Sequence, residues 1–381
     1  MRHWAWAGLV LLAVAGGTAR ADGVATIRTM GGLGVGARAL GVGGAFTAVA
    51  DGPQALYWNP AALAAETRLK TDASITGRVQ NADVLVDLGG IYDAVKDENL
   101  TASGFNDLWD AAGKASGRPV QGEVGSLFGL SYGHFAIGGY GQAAGNLLLL
   151  REEGGVQADA MSAAQFDPTQ DAAITGSGSG LAYYAVAVGY GRMVTRDLAV
   201  GAAIKRVHVV RAAAQVSAQY DAGSYTYSSQ NQTATSAGDD AYAADLGLIW
   251  WPQAEKYDRR VRLAAVVRNL GSPRFDVALP TDTLTRLTFE PTVNLGLGVT
   301  STDGRTLFTA DVHNVLGSND AIGAVAAGVE HQLTSWLALR AGLRQGQFTT
   351  GLTLQAGPVA LTAAGGTPWG ETAAFSFNTQ F

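Results

Sequence analysis

Residues 36–63 read GARALGVGGAFTAVADGPQALYWNPAAL, and this stretch predicts a compact plug placed ahead of a long series of strands. Its glycines allow tight turns and close backbone approach, while its alanines form a small apolar surface. Asp51-Gly52-Pro53 predicts an interruption of regular secondary structure. Asn59-Pro60-Ala61 predicts a helix start, with Asn as the N-cap and Pro at the first helical position. A short amphipathic hairpin on any β protein explains these residues equally well.

The same stretch carries a family resemblance. Gly-Ala-Arg-Ala-x-Gly-x-Gly-Gly-Ala-Phe, followed by Ala-x-Ala-Asp and Tyr-Trp-Asn-Pro-Ala, resembles the N-terminal hatch of FadL-type outer-membrane barrels, above all their PorV/PorQ-like and TraF-like branch. The similarity continues through Arg268-Asn269-Leu270-Gly271, the strand of Asp311 and residues 327–342. It implies a hatch over residues 22–69 and a barrel over residues 70–381.

Residues 1–21 have the pattern of a secretory signal peptide. A basic start precedes an apolar run, and Ala19-Arg20-Ala21 fits the small-x-small cleavage rule. The chain has no cysteine, which excludes disulfides, thiolate metal sites and an acyl anchor. These features predict export, and with the resemblance they predict the bacterial outer membrane.

Composition excludes several function classes. Only 15% of the residues are charged and the net charge is −6, so no basic surface for nucleic acid is expected. After the signal peptide no apolar run reaches the roughly eighteen residues of a membrane helix. A chain of this kind enters a membrane only as a closed barrel, because lipid leaves open strands with unpaired backbone groups.

Short segments alternate with the period of a strand. Tyr184, Val186, Val188 and Tyr190 share one face, with aromatic residues at both ends of an apolar band, as in interfacial girdles. A soluble sandwich also alternates, but it carries more outward charge. The sequence predicts an all-β fold, a transmembrane antiparallel β-barrel of about 14 strands. The predicted strands lie near residues 71–79, 120–132, 134–143, 179–191, 196–211, 239–251, 260–269, 289–300, 305–312, 322–332, 336–345, 347–356, 357–365 and 372–381.

Several connections are marked by their composition. Residues 144–178, 212–238 and 271–288 predict long loops, and residues 90–117 predict a helical insertion whose side is left open. The insertion can cap the barrel, rest on the membrane interface, contact a partner or pack as an ordinary loop helix. The last strand ends on Phe381, which resembles the terminal signal read by the barrel-insertion machinery.

Charged residues within predicted strands should face the lumen, because a charge at mid-depth on the lipid face costs about 2–4 kcal/mol. Arg268, Asp311, Arg340 and Arg344 are the lumen candidates, either as a static polar network or as the lining of a path. The hatch candidates are of two kinds. Asp51 and Asn59 are expected to hydrogen-bond to the barrel wall, with Pro60 starting the helical turn after Asn59. Phe46, Tyr57 and Trp58 line a ligand pocket or form the hatch core.

No catalytic pattern is found in the sequence. Residues 34–39 fit a loose dinucleotide fingerprint but lack the buried strand before it, and the histidines have no zinc spacing. The sequence therefore predicts a protein that is not an enzyme and has no cofactor and no metal.

The resemblance implies two functions from different classes. The first is passive transport of a hydrophobic small molecule across the outer membrane, with a pocket near the hatch and an exit through a gap in the wall. The alternative is a non-transporting barrel of a secretion or conjugation system, which binds a secretion-system protein. For both functions, the expected partners include outer-membrane lipid and the barrel-insertion machinery.

Overall fold

The computed structural model describes most of the chain after the predicted signal peptide. The predicted signal peptide, and residues 90–101 and 116–117 of the predicted insertion, lie outside the described residues. The described ranges are 24–27, 34–81, 102–115, 118–153, 156–157, 172–221, 224–235, 240–252, 260–277, 285–316, 325–344, 346–367 and 371–381.

Nineteen strands are present in these ranges. They are β1 Val24–Ile27, β2 Lys70–Gln80, β3 Val120–Tyr132, β4 Phe135–Glu153, β5 Val156–Gln157, β6 Ala172–Met193, β7 Leu198–Asp221, β8 Ser224–Thr235, β9 Ala241–Trp250, β10 Val261–Leu270, β11 Arg274–Val277, β12 Thr285–Phe289, β13 Thr292–Thr300, β14 Thr306–Val312, β15 Val325–Gln332, β16 Leu337–Arg344, β17 Gln347–Ala356, β18 Val359–Thr367 and β19 Glu371–Gln380.

Fourteen of these strands close into an antiparallel ring, which confirms the predicted barrel. The order runs β3-β2-β19-β18-β17-β16-β15-β14-β13-β10-β9-β7-β6-β4, and β4 pairs with β3 to close it. Strands β5 and β8 extend this sheet outside the ring. Each strand predicted from alternation corresponds to one strand of the ring. The described pairings run without a register shift except between Val267 and Leu270, where β10 bulges against β9.

The ends of the barrel differ in their connections. Residues 133–134, 194–197, 301–305, 333–336 and 357–358 form short connections at one end, the turn end, where the Phe381 amide donates to the Leu69 carbonyl at 2.9 Å. The longest connections between ring strands, 81–119 and 271–291, join strands at the opposite end, the loop end. Bacterial barrels keep short turns in the periplasm and long loops outside.

The outer wall carries an apolar belt. Phe128, Ile204 and Phe375 are 71%, 65% and 61% exposed, and their outward neighbours are mostly apolar too. Exposed apolar side chains around a closed ring are the surface that lipid covers, so the strands span the membrane. No helix in the described ranges is long and apolar enough to cross a membrane.

The loop lengths differ from the sequence prediction. Strands β4, β6 and β7 contain 19, 22 and 24 residues, so much of the predicted loops 144–178 and 212–238 is strand. Beyond the membrane β7 forms a long hairpin with β8. Crossing a bilayer takes about 9–11 tilted residues, so the extensions stand well above the lipid.

The helix Ala102–Ala115 packs against these extensions. Its Phe105, Trp109 and Ala112 are buried with Ile174 and Ala218 of β6 and β7. The pairings of β4, β6 and β7 have no register shift, so Ile174 and Ala218 share the outward face of the lipid belt. The Arg151 guanidinium lies 5.1 Å from the Trp109 ring. The insertion therefore lies at the loop end, on the outside of the wall.

A second, three-stranded sheet joins the N-terminal segment to the loop end. Strand β1 runs parallel to β12, and β11 runs antiparallel to β12. Phe275, Leu287 and Phe289 of this sheet are buried in the same core as the hatch. The connection between β10 and β13, predicted as an open loop, is thus folded into the barrel.

Candidate functional site

The hatch fills the lumen with short helical turns. They are the helices Ala37–Gly41 and Ala55–Trp58 and the 3-10 turns Gly52–Gln54 and Pro60–Ala65. Its centre is aromatic: the Phe46 and Trp58 rings lie 5.8 Å apart in an edge-to-face arrangement. The Trp58 indole donates to the Val35 carbonyl at 3.0 Å. Phe46 and Trp58 are therefore part of the hatch core.

Asn59 joins the two halves of the hatch to the wall. Its amide oxygen accepts from the Ala61 amide at 3.0 Å, the N-cap that the sequence predicts. Its amide nitrogen donates to the carbonyls of Thr47 at 3.1 Å and Leu248 at 3.3 Å. Pro60 follows at the first position of its turn and packs beneath Gly201 of β7.

Asp311 fastens the hatch from strand β14. One of its carboxylate oxygens accepts from the amides of Phe46 at 2.8 Å and Thr47 at 2.7 Å. The neighbouring Thr309 hydroxyl donates to the Ala45 carbonyl at 2.6 Å. These bonds hold a turn of the hatch that has no regular secondary structure of its own.

An ionic cluster secures the hatch near the turn end. Arg38 bonds to Glu330 at 2.8 Å and to Asp51 at 2.8 Å, and Arg340 reaches the same Glu330 carboxylate at 2.5 Å. Lys70 lies 3.3 Å from Asp51. A polar cavity of about 210 Å³ opens beside these groups between the hatch and strands β15 to β19.

Wall glycines set the distance between hatch and barrel. A Cβ at Gly201 would lie 2.3 Å from the Pro60 backbone, and one at Gly342 would lie 2.2 Å from the Gly43 amide nitrogen. A Cβ at Gly328 would lie 2.5 Å from the Val42 carbonyl. The hatch backbone thus occupies the space that side chains would fill elsewhere.

An aromatic column continues from the hatch towards the loop end. The Tyr57 ring lies 5.3 Å from Tyr140 of β4. Gln142 donates to the Tyr57 hydroxyl at 3.1 Å and accepts from the Tyr183 hydroxyl at 3.1 Å. Tyr183 in turn lies 5.2 Å from Phe289. The aromatic column consists of Phe46, Trp58, Tyr57, Tyr140, Tyr183, Phe289 and Phe275.

The wall beside the column is small and apolar. Inward positions on β4, β6 and β7 are largely alanines, which leaves the rings as the bulk of the lining. The alanines of the core on these strands are Ala136, Ala144, Ala185, Ala187, Ala199 and Ala203. A barrel interior is usually polar, so the aromatic and alanine lining distinguishes this sector from the rest of the lumen.

Arg268 points into the column from the end of β10. It shares the inward face with Ala264 and Val266, because the pairing of β10 with β13 runs regularly as far as Arg268. In the bulge that follows, Asn269 has a left-handed backbone, with φ at 60°, and its amide donates to Asp245 at 2.8 Å. Lys205 bonds to the same carboxylate at 2.7 Å. The Arg268 guanidinium lies 4.1 Å from the centre of the Tyr57 ring.

Arg344 and His313 lie on the other side of the hatch, near the surface of the hatch that faces the loop end. Gly44 leaves room for the Arg344 guanidinium, which would lie 2.8 Å from a Cβ there. The His313 ring is 6.2 Å from Trp58. The Nε2 atom of His313 lies 4.0 Å from the Asp311 carboxylate.

The four lumen candidates all face inward against the hatch or its aromatic column, but they do not form one site. Asp311 and Arg340 fasten the hatch, whereas Arg268 and Arg344 flank its upper surface. Sequence reasoning missed Tyr140, Gln142, Tyr183 and Phe289. The sequence does contain one signal for these residues, which is an aromatic residue on the inward face of an alternating strand, such as Tyr183.

The outer wall has a groove of about 810 Å³ in the lipid belt. It lies across β17, β18, β19, β2, β3, β4 and β6, and Phe128, Leu354, Phe375 and Tyr184 line it with their neighbours. No gap connects it with the lumen, because the pairings of β2 with β19 and β3 are unbroken in the described residues. The exit gap implied by the family resemblance is therefore not open along these strands.

No family model matches the sequence, and no curated protein matches it. Among solved structures the chain is similar to the CymD monoaromatic hydrocarbon channel, with 12% identity, 92% and 98% of the two chains covered and a TM-score of 0.47. It is similar to the Pseudomonas putida toluene transporter TodX, with 12% identity, 90% and 97% coverage and a TM-score of 0.44. A deletion mutant of TodX gives 13% identity, 91% and 99% coverage and a TM-score of 0.48. Similarity at this level does not transfer a ligand to this chain.

Proposed function

We propose that the protein is an outer-membrane barrel for passive transport of hydrophobic small molecules. The observation that carries the proposal is the aromatic column, which leads from the inward-folded β11–β12 segment down to the hatch. Apolar pockets with a few convergent polar groups are the usual form of a small-molecule site. Aromatic rings offer a guest both dispersion contacts and edge-to-face geometry.

The structure corresponds to a closed state. The hatch is fixed by Asn59, Asp311 and the Arg38–Glu330 pair, and the described wall has no open seam. Transport therefore requires a movement of the hatch or of the β10 bulge, the place where the described ladder shifts register. A guest that occupies the column displaces contacts of Tyr57, which belongs to the hatch and touches the wall.

Binding to the purified protein tests the proposal. Full-length protein in mild detergent is titrated with ethylbenzene, and Tyr57→Ala and Phe289→Ala are compared with wild type. We expect measurable binding in wild type and at least fivefold weaker binding in each variant. Thr302→Ala, in an exposed turn, is the matched control. Absence of ethylbenzene binding in wild type contradicts the proposal.

The partner-binding alternative is favoured by one specific observation, the plugged lumen beneath a tall external hairpin of β7 and β8. A PorV-like role would use that hairpin for a secretion-system protein. Gentle purification from native outer membranes separates the two. A bound hydrophobe without a stoichiometric protein supports transport, and a stoichiometric envelope protein with an empty barrel supports the alternative.

A further inference from the structure

The top of the hatch holds two arginines without carboxylate partners. In the described residues neither Arg268 nor Arg344 forms an ion pair, and the Nε atom of each is buried without a hydrogen-bond acceptor. Arg268 has the Tyr57 ring and the Tyr183 side chain as its neighbours.

The nearby carboxylates are engaged elsewhere. Asp245 accepts hydrogen bonds from Lys205 and from the Asn269 amide, and it does not form an ion pair with Arg268. Asp311 uses one oxygen for two amides of the hatch and lies 4.0 Å from His313 Nε2, and in the described residues it forms no ion pair with Arg268 or Arg344.

Further polar atoms lie in the same region. The Tyr140 hydroxyl is buried without a partner, and the Nε2 atom of His313 lies 4.0 Å from the Asp311 carboxylate. The His313 ring is 6.2 Å from Trp58, the Trp58 ring is 5.1 Å from Tyr57, and the Tyr57 ring is 4.1 Å from the Arg268 guanidinium. The region thus carries positive charge and is bounded by rings.

Arg268 and Arg344 are half-buried, and their buried Nε atoms are unfavourable without an acceptor, because desolvation is not offset by pairing. An anionic guest that accepts from their Nε and Nη groups removes this cost through charge-assisted hydrogen bonds. The rings of Tyr57, Tyr140 and Trp58 suit a flat guest that stacks or meets them edge-on.

We propose that the lumen above the hatch binds an aromatic carboxylate, with the carboxylate between Arg268 and Arg344 and the ring in the aromatic column. This inference rests on the proposed transport function and names its substrate class. In this proposal, Arg268 and Arg344 make the site bind an anionic guest more tightly than a neutral one.

Calorimetric titration of the full chain in detergent tests the assignment, with benzoate, ethylbenzene and inorganic phosphate as probes. We expect benzoate to bind and its Kd to rise at least tenfold in Arg344→Met and in Arg268→Met. Arg344→Lys should recover part of the loss. The ethylbenzene Kd should change less than threefold in Arg344→Met, which also shows that the variant is folded.

Arg262→Met is the matched control, because Arg262 faces inward on the same strand as Arg268 but lies at the turn end, beside Gly298 and Val49. It should leave benzoate binding unchanged. Ethylbenzene binding without benzoate binding overturns the carboxylate assignment and leaves transport standing. Equal competition by phosphate overturns the aromatic part of the assignment. If neither ethylbenzene nor benzoate binds, this inference fails with the transport proposal.

Discussion

Asn59 shows how single residues hold the hatch in place. The sequence indicates its N-cap role through Asn59-Pro60, and the structure adds two bonds to distant carbonyls. Those bonds join residues far apart in the chain, so no local pattern could reveal them. The inward direction of Asp311 and Arg340 was likewise predictable from the cost of charge in lipid, whereas their partners across the lumen were not.

Replacement of Asn59 by alanine should loosen the hatch. The change removes three hydrogen bonds and leaves buried carbonyls unpaired, which costs about 1–3 kcal/mol. We expect higher permeability to small solutes in liposomes and faster protease cleavage within the hatch. Thr302→Ala serves as control, and unchanged permeability and protease resistance in Asn59→Ala contradict the prediction.

At the scale of elements, the sequence predicted the fourteen strands of the ring because lipid on one side imposes strict alternation. The extensions of β4, β6 and β7 were missed because strands above the membrane no longer need an apolar outer face. Their serine, threonine and glutamine residues therefore led to a prediction of loops. The β11–β12 sheet was missed because its partner β1 lies more than 200 residues away in the chain.

The hatch backbone packs directly against glycines of the wall, so a larger residue at one of these glycines tests whether the close packing is needed. In Gly342→Ala the added methyl group would lie 2.2 Å from the Gly43 amide, so the hatch or β16 must move. Overpacking of this kind costs about 1–3 kcal/mol. We expect a lower Tm and a leakier barrel.

Gly139→Ala is the control for this substitution. Its Cβ lies on the outer face of β4 and meets an atom no closer than 3.6 Å, which is an ordinary contact. Unfolding in detergent and solute leakage should match wild type. Equal effects of the two substitutions would show that the hatch does not depend on the wall glycines.

At the scale of the whole molecule, the barrel and its external insertion are separate packing units. The helix Ala102–Ala115 forms its own cluster with the outward face of β6 and β7, apart from the core that contains the hatch. The sequence predicted a helix here but left its side open, because an amphipathic pattern does not say which surface it covers.

Replacement of residues 82–117 by a short glycine-serine link should therefore leave the barrel closed. We expect heat-resistant migration of the folded barrel in gels and wild-type protease resistance of the hatch. The exposed faces of Ile174 and Ala218 should make the variant more prone to association. Loss of hatch protection in this variant would mean that the insertion supports the lumen after all.

Uptake of a labelled hydrophobe tests the central claim most directly. Radiolabelled ethylbenzene is supplied to bacterial cells that carry the protein in their outer membrane, to cells with Tyr57→Ala and to cells without the protein. The account predicts faster entry with wild type than without the protein, and a loss of most of that gain in Tyr57→Ala. Equal rates in cells with and without the wild-type protein would contradict it.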